Sequence, residues 1–151
     1  MEKIQITRRL EFDAGHRIPN HEGQCRHLHG HRYSLEITIE GKIVQLNGAS
    51  NEGMVIDFGD IKKIAQELII EPWDHSFLVY KKDLEVVKIL SSIKDHKTTF
   101  LDSIPTVENL AAIIFEILST AIFNRYQNRV YLKKIRLYET PNCWADISKE
   151  Q

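Results

Sequence analysis

Two stretches near the N-terminus alternate polar and apolar side chains with a period of two residues, and they constrain the fold more than any other feature. In the first stretch the apolar side chains stand at even positions: Ile4, Ile6, Leu10 and Phe12. In the second, the odd positions form one face: His29, His31, Tyr33, Leu35, Ile37 and Ile39. Because successive side chains of a strand point to opposite faces, both stretches predict half-buried β-strands. Residues 18–28 contain Pro19, Asn20 and Gly23 and predict a loop between them.

Helices and further strands follow. Helical spacing predicts a helix that begins at Asp57 or Asp60 and ends at Pro72, with one apolar face: Ile61, Ile64, Ala65, Leu68 and Ile69. A shorter helix is expected around 84–90, and a long apolar stripe predicts another after the N-cap candidate Thr106. Strands over 129–139 and 143–147 close the chain. The order β-β-α-α-β-β predicts an α+β fold with helices on one face of a sheet.

Size and composition narrow the class of protein. A chain of 151 residues corresponds to one domain, 1–151, and 42% hydrophobic with 27% charged residues excludes a disordered chain. A net charge of -1 gives no general attraction to nucleic acid or to a membrane, and apolar runs such as 111–115 are far shorter than the ~20 residues of a membrane span. Two cysteines and an N-terminus without an apolar signal sequence lead us to expect a cytoplasmic protein.

Histidines are concentrated at the start of the second strand, since five of the seven lie between positions 16 and 31. His29 and His31 stand two residues apart and project from the same face of a strand, so both can reach one cation. His16 ends the neighbouring strand at an even position, on the same face as the apolar side chains of that strand, and is the natural third ligand. Three imidazoles without a fourth protein ligand fit a zinc site that keeps one position open.

Cys25 lies four residues before His29, and its spacing allows two interpretations. The thiolate could be a fourth zinc ligand in a closed structural site. Alternatively it stands off the metal, with its pKa lowered by the cation and by Arg26 or His27. Cys143 lies in a short apolar run and is expected to be a packed side chain.

Other candidate residues are ambiguous on sequence alone. Asp74 and His75 can hydrogen-bond to each other on a loop, although such a neighbouring pair is commonly a surface feature. Glu139 ends a strand and, if it points inward, suits a ligand with a guanidine-like donor edge. Glu108 could act in the same way, but a position in the first turn of a helix also explains it. Motifs for dinucleotides, nucleoside triphosphates and serine hydrolases are missing from the sequence.

Six motifs, in this order along the chain, resemble the 6-pyruvoyltetrahydropterin synthase superfamily. They are Phe12-Asp13-Ala14-Gly15-His16-Arg17, Cys25-Arg26-His27-Leu28-His29-Gly30-His31, Gly53-Met54-Val55-Ile56-Asp57-Phe58, Trp73-Asp74-His75, Pro105-Thr106-Val107-Glu108-Asn109 and Tyr138-Glu139-Thr140. The three-residue spacer between Cys25 and the His-Gly-His motif is similar to that of the bacterial 6-carboxy-5,6,7,8-tetrahydropterin synthases of the queuosine pathway. Residues 81–103 make a longer segment than the shortest relatives have.

The resemblance implies a tunnelling fold, in which antiparallel four-stranded sheets from several subunits join into a barrel. It implies a homo-oligomer, expected to be a hexamer, with active sites at subunit interfaces. It also implies Zn²⁺ on His16, His29 and His31. The implied substrate is 7,8-dihydroneopterin triphosphate, and the products are 6-carboxytetrahydropterin, acetaldehyde and triphosphate.

The same resemblance implies residue roles. Cys25 is the expected proton acceptor, His75 its acid-base partner and Asp74 the residue that orients this imidazole. Glu139 is expected to anchor the pterin, and two residues should lie near it: Thr106 and Glu108. The local candidates for the triphosphate are cationic: Arg17, Arg26 and His27. Two alternatives remain open, namely triphosphate elimination to 6-pyruvoyltetrahydropterin and a non-catalytic member that binds zinc or pterin.

Overall fold

A long antiparallel hairpin forms the centre of the sheet in the computed structural model, which describes residues 2–150. Strand β1 (Ile4–His16) pairs with β2 (His29–Gly41) along its whole length, in a register that runs from Ile4 opposite Gly41 to His16 opposite His29. Both strands and their buried parity are confirmed. The joining loop contains one 3-10 turn, Gln24–Arg26.

Two C-terminal strands extend the sheet beside β2. They are β5 (Val130–Thr140) and β6 (Cys143–Ser148), both antiparallel, as the sequence predicts. The expectation that Cys143 is packed is wrong, because it begins the edge strand β6 and is exposed.

The first helix is less regular than predicted. Helix α1 (Phe58–Ala65) begins at the N-cap Asp57, whose carboxylate accepts a hydrogen bond from the Gly59 amide. It continues through a π-helical turn, Gln66–Ile70, into a short helix α2 (Glu71–Trp73). The helical turns end at Trp73, one residue after Pro72 and close to the predicted end.

The segment after α2 forms a parallel β-α-β unit that the sequence analysis recognised only in part. Strand β3 (Ser76–Tyr80) pairs in parallel with β1, helix α3 (Leu84–Ser91) follows as predicted, and β4 (Thr98–Leu101) pairs in parallel with β3. The sheet therefore has six strands in the order β4-β3-β1-β2-β5-β6, rather than four. A small cluster of its own stabilises the unit: Val79, Val86 and Leu90.

Helix α4 (Val107–Tyr126) covers one face of the sheet. It begins at Thr106, whose hydroxyl accepts a hydrogen bond from the Asn109 amide, as predicted. By length and composition alone this helix could cross a membrane. Its composition is explained by the five side chains that it buries against the core: Leu110, Ala111, Ile114, Leu118 and Ile122.

The opposite face of the sheet is polar. Ion pairs cross its strands, among them Arg9 with Glu36 at 3.2 Å and Arg136 with Asp146 at 2.7 Å. Asp13 also projects to this face, where its carboxylate accepts a hydrogen bond from Arg32 at 2.9 Å. The molecule thus has a helix-covered face that holds the core and a polar face, and the two faces carry different candidate site residues.

Candidate functional site

Three histidines meet where β1 ends and β2 begins. His16 lies opposite His29 in the register, and His31 lies opposite Ala14. The ring centroids are 4.6 Å apart for His16 and His29, 5.1 Å for His16 and His31, and 4.9 Å for His29 and His31. Their ligand nitrogens lie within 4.8 Å of one another, so the structure brings the predicted metal ligands together.

Backbone carbonyls determine which ring nitrogens can bind a cation. The Nδ1–H of His16 donates to the Pro105 carbonyl at 2.8 Å, and that of His29 donates to the His27 carbonyl at 2.7 Å. In the neutral rings both Nε2 atoms therefore carry lone pairs, yet they lie only 3.0 Å apart. The Nε2 of His31 is buried without a hydrogen-bond partner. Two nitrogens bound tetrahedrally at about 2.0–2.1 Å lie about 3.3 Å apart, so these residues fit a zinc ion.

Burial disfavours the protonated forms of two of the three imidazoles, His16 and His31. It lowers the pKa of His16 to about 4, and repulsion from His29 and His31 acts in the same direction, whereas the bond to Pro105 opposes it. Burial also lowers the pKa of His31. A metal binds only the neutral imidazole. At neutral pH His16 and His31 therefore already have the form that binds a metal.

Glu139 and Tyr33 complete the surroundings of the cluster. Glu139 ends β5, and its Oε1 lies 3.4 Å from His16 Nε2 and 3.7 Å from His31 Nε2. Tyr33 is fully buried, its hydroxyl lies 3.3 Å from His16 Nδ1, and burial raises the pKa of its phenol. The sequence analysis did not identify Tyr33 as a site residue, although its parity with His29 and His31 on β2 was a usable signal.

The N-terminus of α4 is attached to this cluster through Pro105. The carbonyl that orients His16 immediately precedes the N-cap Thr106, and Glu108 is exposed in the first turn of α4. Thr106 therefore directly follows the residue that supports His16, and Glu108 lies two residues further along the chain. The support from Pro105 was missed, because a carbonyl 89 residues away along the chain leaves no local sequence signal.

Cys25 stands apart from the metal ligands. It is partly buried in the 3-10 turn, where its carbonyl accepts a hydrogen bond from the Ile18 amide at 2.8 Å. Across residues 2–150, the cluster around His16 that could hold a metal contains three histidines and not this thiol. The geometry favours the interpretation in which the thiol stands off the metal.

Asp74 and His75 form a hydrogen-bonded pair at the end of α2. One carboxylate oxygen of Asp74 accepts from the Asp13 amide at 2.8 Å, and the other accepts from His75 Nδ1 at 2.9 Å. Burial would raise the pKa of Asp74, but hydrogen bonds from Asp13 and His75 outweigh it and lower that pKa. The carboxylate therefore fixes the Nδ1–H tautomer of His75, whose imidazole is 76% exposed and presents Nε2.

The histidine cluster and the Asp74–His75 pair lie on opposite faces of the sheet. His16 shares the parity of Ala14 on the helix-covered face, whereas Asp74 and His75 gather around Asp13 on the polar face. The resemblance implies that both groups belong to one site at a subunit interface, and within the described residues of one chain the sheet separates them.

The residues expected to contact triphosphate, Arg17, Arg26 and His27, line one groove of about 590 Å³. The same groove contains His21 and Lys82 together with two acidic residues, Asp83 and Glu85. Arg17, however, donates two hydrogen bonds to Asp83, at 2.8 and 2.6 Å. Much of its charge is neutralised there, which leaves Arg26, His27 and Lys82 as the better anion contacts.

Comparison with known proteins identifies the family of the chain. The sequence model described as 6-pyruvoyl tetrahydropterin synthase matches residues 5–150. The chain belongs to this family. A relative from Rickettsia bellii, named 6-carboxy-5,6,7,8-tetrahydropterin synthase, is 40% identical over 144 residues, which cover 95% of the chain and 99% of the relative.

Solved structures agree with this assignment. An uncharacterised protein from Wolinella succinogenes superposes with a TM-score of 0.80 at 22% identity, over 99% of the chain and 100% of that protein. The 6-pyruvoyl tetrahydropterin synthase of Caenorhabditis elegans superposes with a TM-score of 0.67 at 25% identity, over 99% and 98% of the two chains. The predicted α+β tunnelling fold is confirmed.

Proposed function

We propose that the chain is a zinc-dependent carbon–carbon lyase of queuosine biosynthesis. It converts 7,8-dihydroneopterin triphosphate and one water molecule to 6-carboxy-5,6,7,8-tetrahydropterin, acetaldehyde and triphosphate. The observation that carries the proposal is the convergence of the ligand nitrogens of His16, His29 and His31 beside Glu139. The name of the Rickettsia bellii relative supports the choice of product.

The metal site would consist of His16, His29 and His31. A zinc ion bound there would act as a Lewis acid on a hydroxyl or carbonyl oxygen of the substrate side chain. The carbonyls of Pro105 and His27 keep the ligand nitrogens aimed at one point.

Proton transfer would be divided between Cys25 and His75. The thiolate of Cys25 accepts a proton from the substrate side chain, and the Nε2 of His75 exchanges one with the reacting atoms. Asp74 holds the Nδ1–H of His75 at 2.9 Å, so Nε2 is the nitrogen available for this exchange.

The substrate would be held at both ends. The carboxylate of Glu139 accepts hydrogen bonds from the 2-amino group and the N3–H edge of the pterin, a bidentate match. Thr106 and Glu108 lie at the α4 end of the same region. The triphosphate fits the groove that Arg26, His27 and Lys82 line.

The site would be complete only in a homo-oligomer, for which we propose a hexamer. One chain supplies the zinc ligands and Glu139, and its neighbour supplies Asp74 and His75. This division follows from the two faces of the sheet, because within one chain the strands separate the two groups.

A product assay tests the proposal. Zinc-loaded wild type, Cys25→Ala and the matched control Cys143→Ala are incubated with 7,8-dihydroneopterin triphosphate, and acetaldehyde and triphosphate are measured together. We expect both products from wild type and Cys143→Ala, and neither product from Cys25→Ala that retains its zinc. Triphosphate without acetaldehyde would instead indicate 6-pyruvoyltetrahydropterin chemistry. Neither product from zinc-loaded wild type would contradict the proposal and favour a binding protein.

A further inference from the structure

Lys97 contacts the end of helix α2 from the neighbouring β-α-β unit. Its ammonium donates to the Glu71 carbonyl at 2.7 Å and to the Asp74 carbonyl at 2.5 Å. The last carbonyls of a helix have no intrahelical partner, and a cation near them also interacts favourably with the helix dipole. The Lys97 ammonium therefore supplies hydrogen-bond donors to carbonyls at the end of α2, immediately before His75.

The backbone of Lys97 holds the other side of the same turn. Its carbonyl accepts hydrogen bonds from the Phe77 amide at 3.1 Å and from the Ser76 hydroxyl at 3.4 Å. These two residues directly follow His75 in the sequence. Lys97 thus contacts residues on both sides of His75, and it is the only described residue whose side chain reaches the Asp74 carbonyl.

The turn at His75, between these two sets of contacts, has an unfavourable backbone conformation. His75 has a φ of +59°, in the left-handed region that is unfavourable for a residue with a Cβ. With 76% of its side chain exposed, packing does little to fix its imidazole. Its position depends on two hydrogen bonds, from its amide to the Asp13 carbonyl at 2.7 Å and from Nδ1 to Asp74 at 2.9 Å.

We propose that Lys97 is a positioning residue for His75. By capping α2 and closing the turn, its ammonium keeps Asp74 and His75 in the arrangement that holds the Nδ1–H tautomer. The inference rests on the proposed function, in which His75 exchanges a proton with the substrate. Lys97 lies between α3 and β4, so the proposal also gives the β-α-β unit a role. The unit places the Lys97 ammonium beside Asp74 and His75.

Three variants test this role of Lys97. Lys97→Met removes the charge and keeps the length of the side chain, whereas Lys97→Arg keeps the charge. Lys94→Met, at an exposed lysine of the same segment, is the control. Loss of supporting contacts around a catalytic group commonly costs roughly 10-fold or more in activity. We expect Lys97→Met to lower kcat by about that factor with KM and zinc content unchanged. Lys97→Arg should recover most of the loss, and Lys94→Met should match wild type.

A second readout does not require the substrate. Two-bond ¹H–¹⁵N spectra report which imidazole nitrogen of His75 carries the proton, and the signals are assigned with His75→Ala. We expect a predominant Nδ1–H tautomer in wild type and a mixture in Lys97→Met. If wild type turns over no pterin, the proposed function fails while this spectrum still decides the role of Lys97. A wild-type tautomer in Lys97→Met, or an altered tautomer with unchanged kcat, would overturn the proposal.

Discussion

At the scale of single residues, the proposed zinc site depends on where the imidazole protons of His16 and His29 are held. Pro105 and His27 accept the Nδ1 protons of His16 and His29, which leaves two Nε2 lone pairs 3.0 Å apart, and the Nε2 of His31 is buried without a hydrogen-bond partner. Neutral imidazoles with this orientation cannot satisfy one another by hydrogen bonds. We propose that a bound cation satisfies these nitrogens.

Replacing one ligand should therefore abolish tight metal binding. We expect His31→Ala to bind Zn²⁺ on the order of 100-fold more weakly than wild type, because one of three protein ligands is lost. Zinc content after dialysis and competition with a chelator measure the change. His21→Ala, at an exposed histidine outside the cluster, is the control and should keep its zinc. Equal affinities in His31→Ala and wild type would contradict the assignment.

The depressed pKa of His16 predicts how the metal-free protein responds to acid. In the unfolded chain this imidazole binds a proton near its ordinary pKa of 6.5, but in the folded protein it does so only near 4. Between these values the unfolded state holds more protons, so the free energy of unfolding should fall as the pH falls from 6.5 to 4. Urea unfolding at several pH values measures this decline. The decline should be shallower in His16→Gln, and equal slopes would refute the assignment to His16.

At the scale of elements, the sequence predicted what is encoded locally. The hairpin was recovered because thirteen-residue strands give a long alternation, and α4 because its apolar stripe and its N-cap Thr106 are contiguous in sequence. Strands β3 and β4 were missed because they are five and four residues long, and because their parallel pairing depends on β1, which is distant in the chain. The same distinction holds in the site, where strand parity predicts the histidines but not Pro105 or Lys97.

The N-cap of α4 gives a test at this scale. Thr106→Ala should lower the free energy of unfolding by about 1 kcal/mol, because the Asn109 amide loses its acceptor. Thr106→Ser keeps a hydroxyl and should stay close to wild type. Chemical denaturation of both metal-free variants measures the difference. If the alanine and serine variants were equally stable, the hydroxyl would not be acting as a cap.

At the scale of the whole molecule, the sheet separates two groups that the proposed reaction requires. The proposed zinc ligands lie with the core on the helix-covered face, and Asp74 and His75 lie with Asp13 on the polar face. Sequence reasoning assigned both groups to one site from the resemblance, but parity along one chain cannot show which copy supplies each group. Our account requires that two copies share the site, with the zinc ligands on one and His75 on the other.

Mixing two inactive variants tests this requirement most directly. His31→Ala and His75→Ala are co-expressed with different tags, and hetero-oligomers are isolated by both tags and assayed for triphosphate and acetaldehyde. In a random mixture about a quarter of the sites combine intact zinc ligands with an intact His75, so roughly a quarter of wild-type activity should return. His75→Ala co-expressed with the double variant His31→Ala/His75→Ala forms no complete site and should stay inactive. Hetero-oligomers of the single variants that are equally inactive would contradict the shared site.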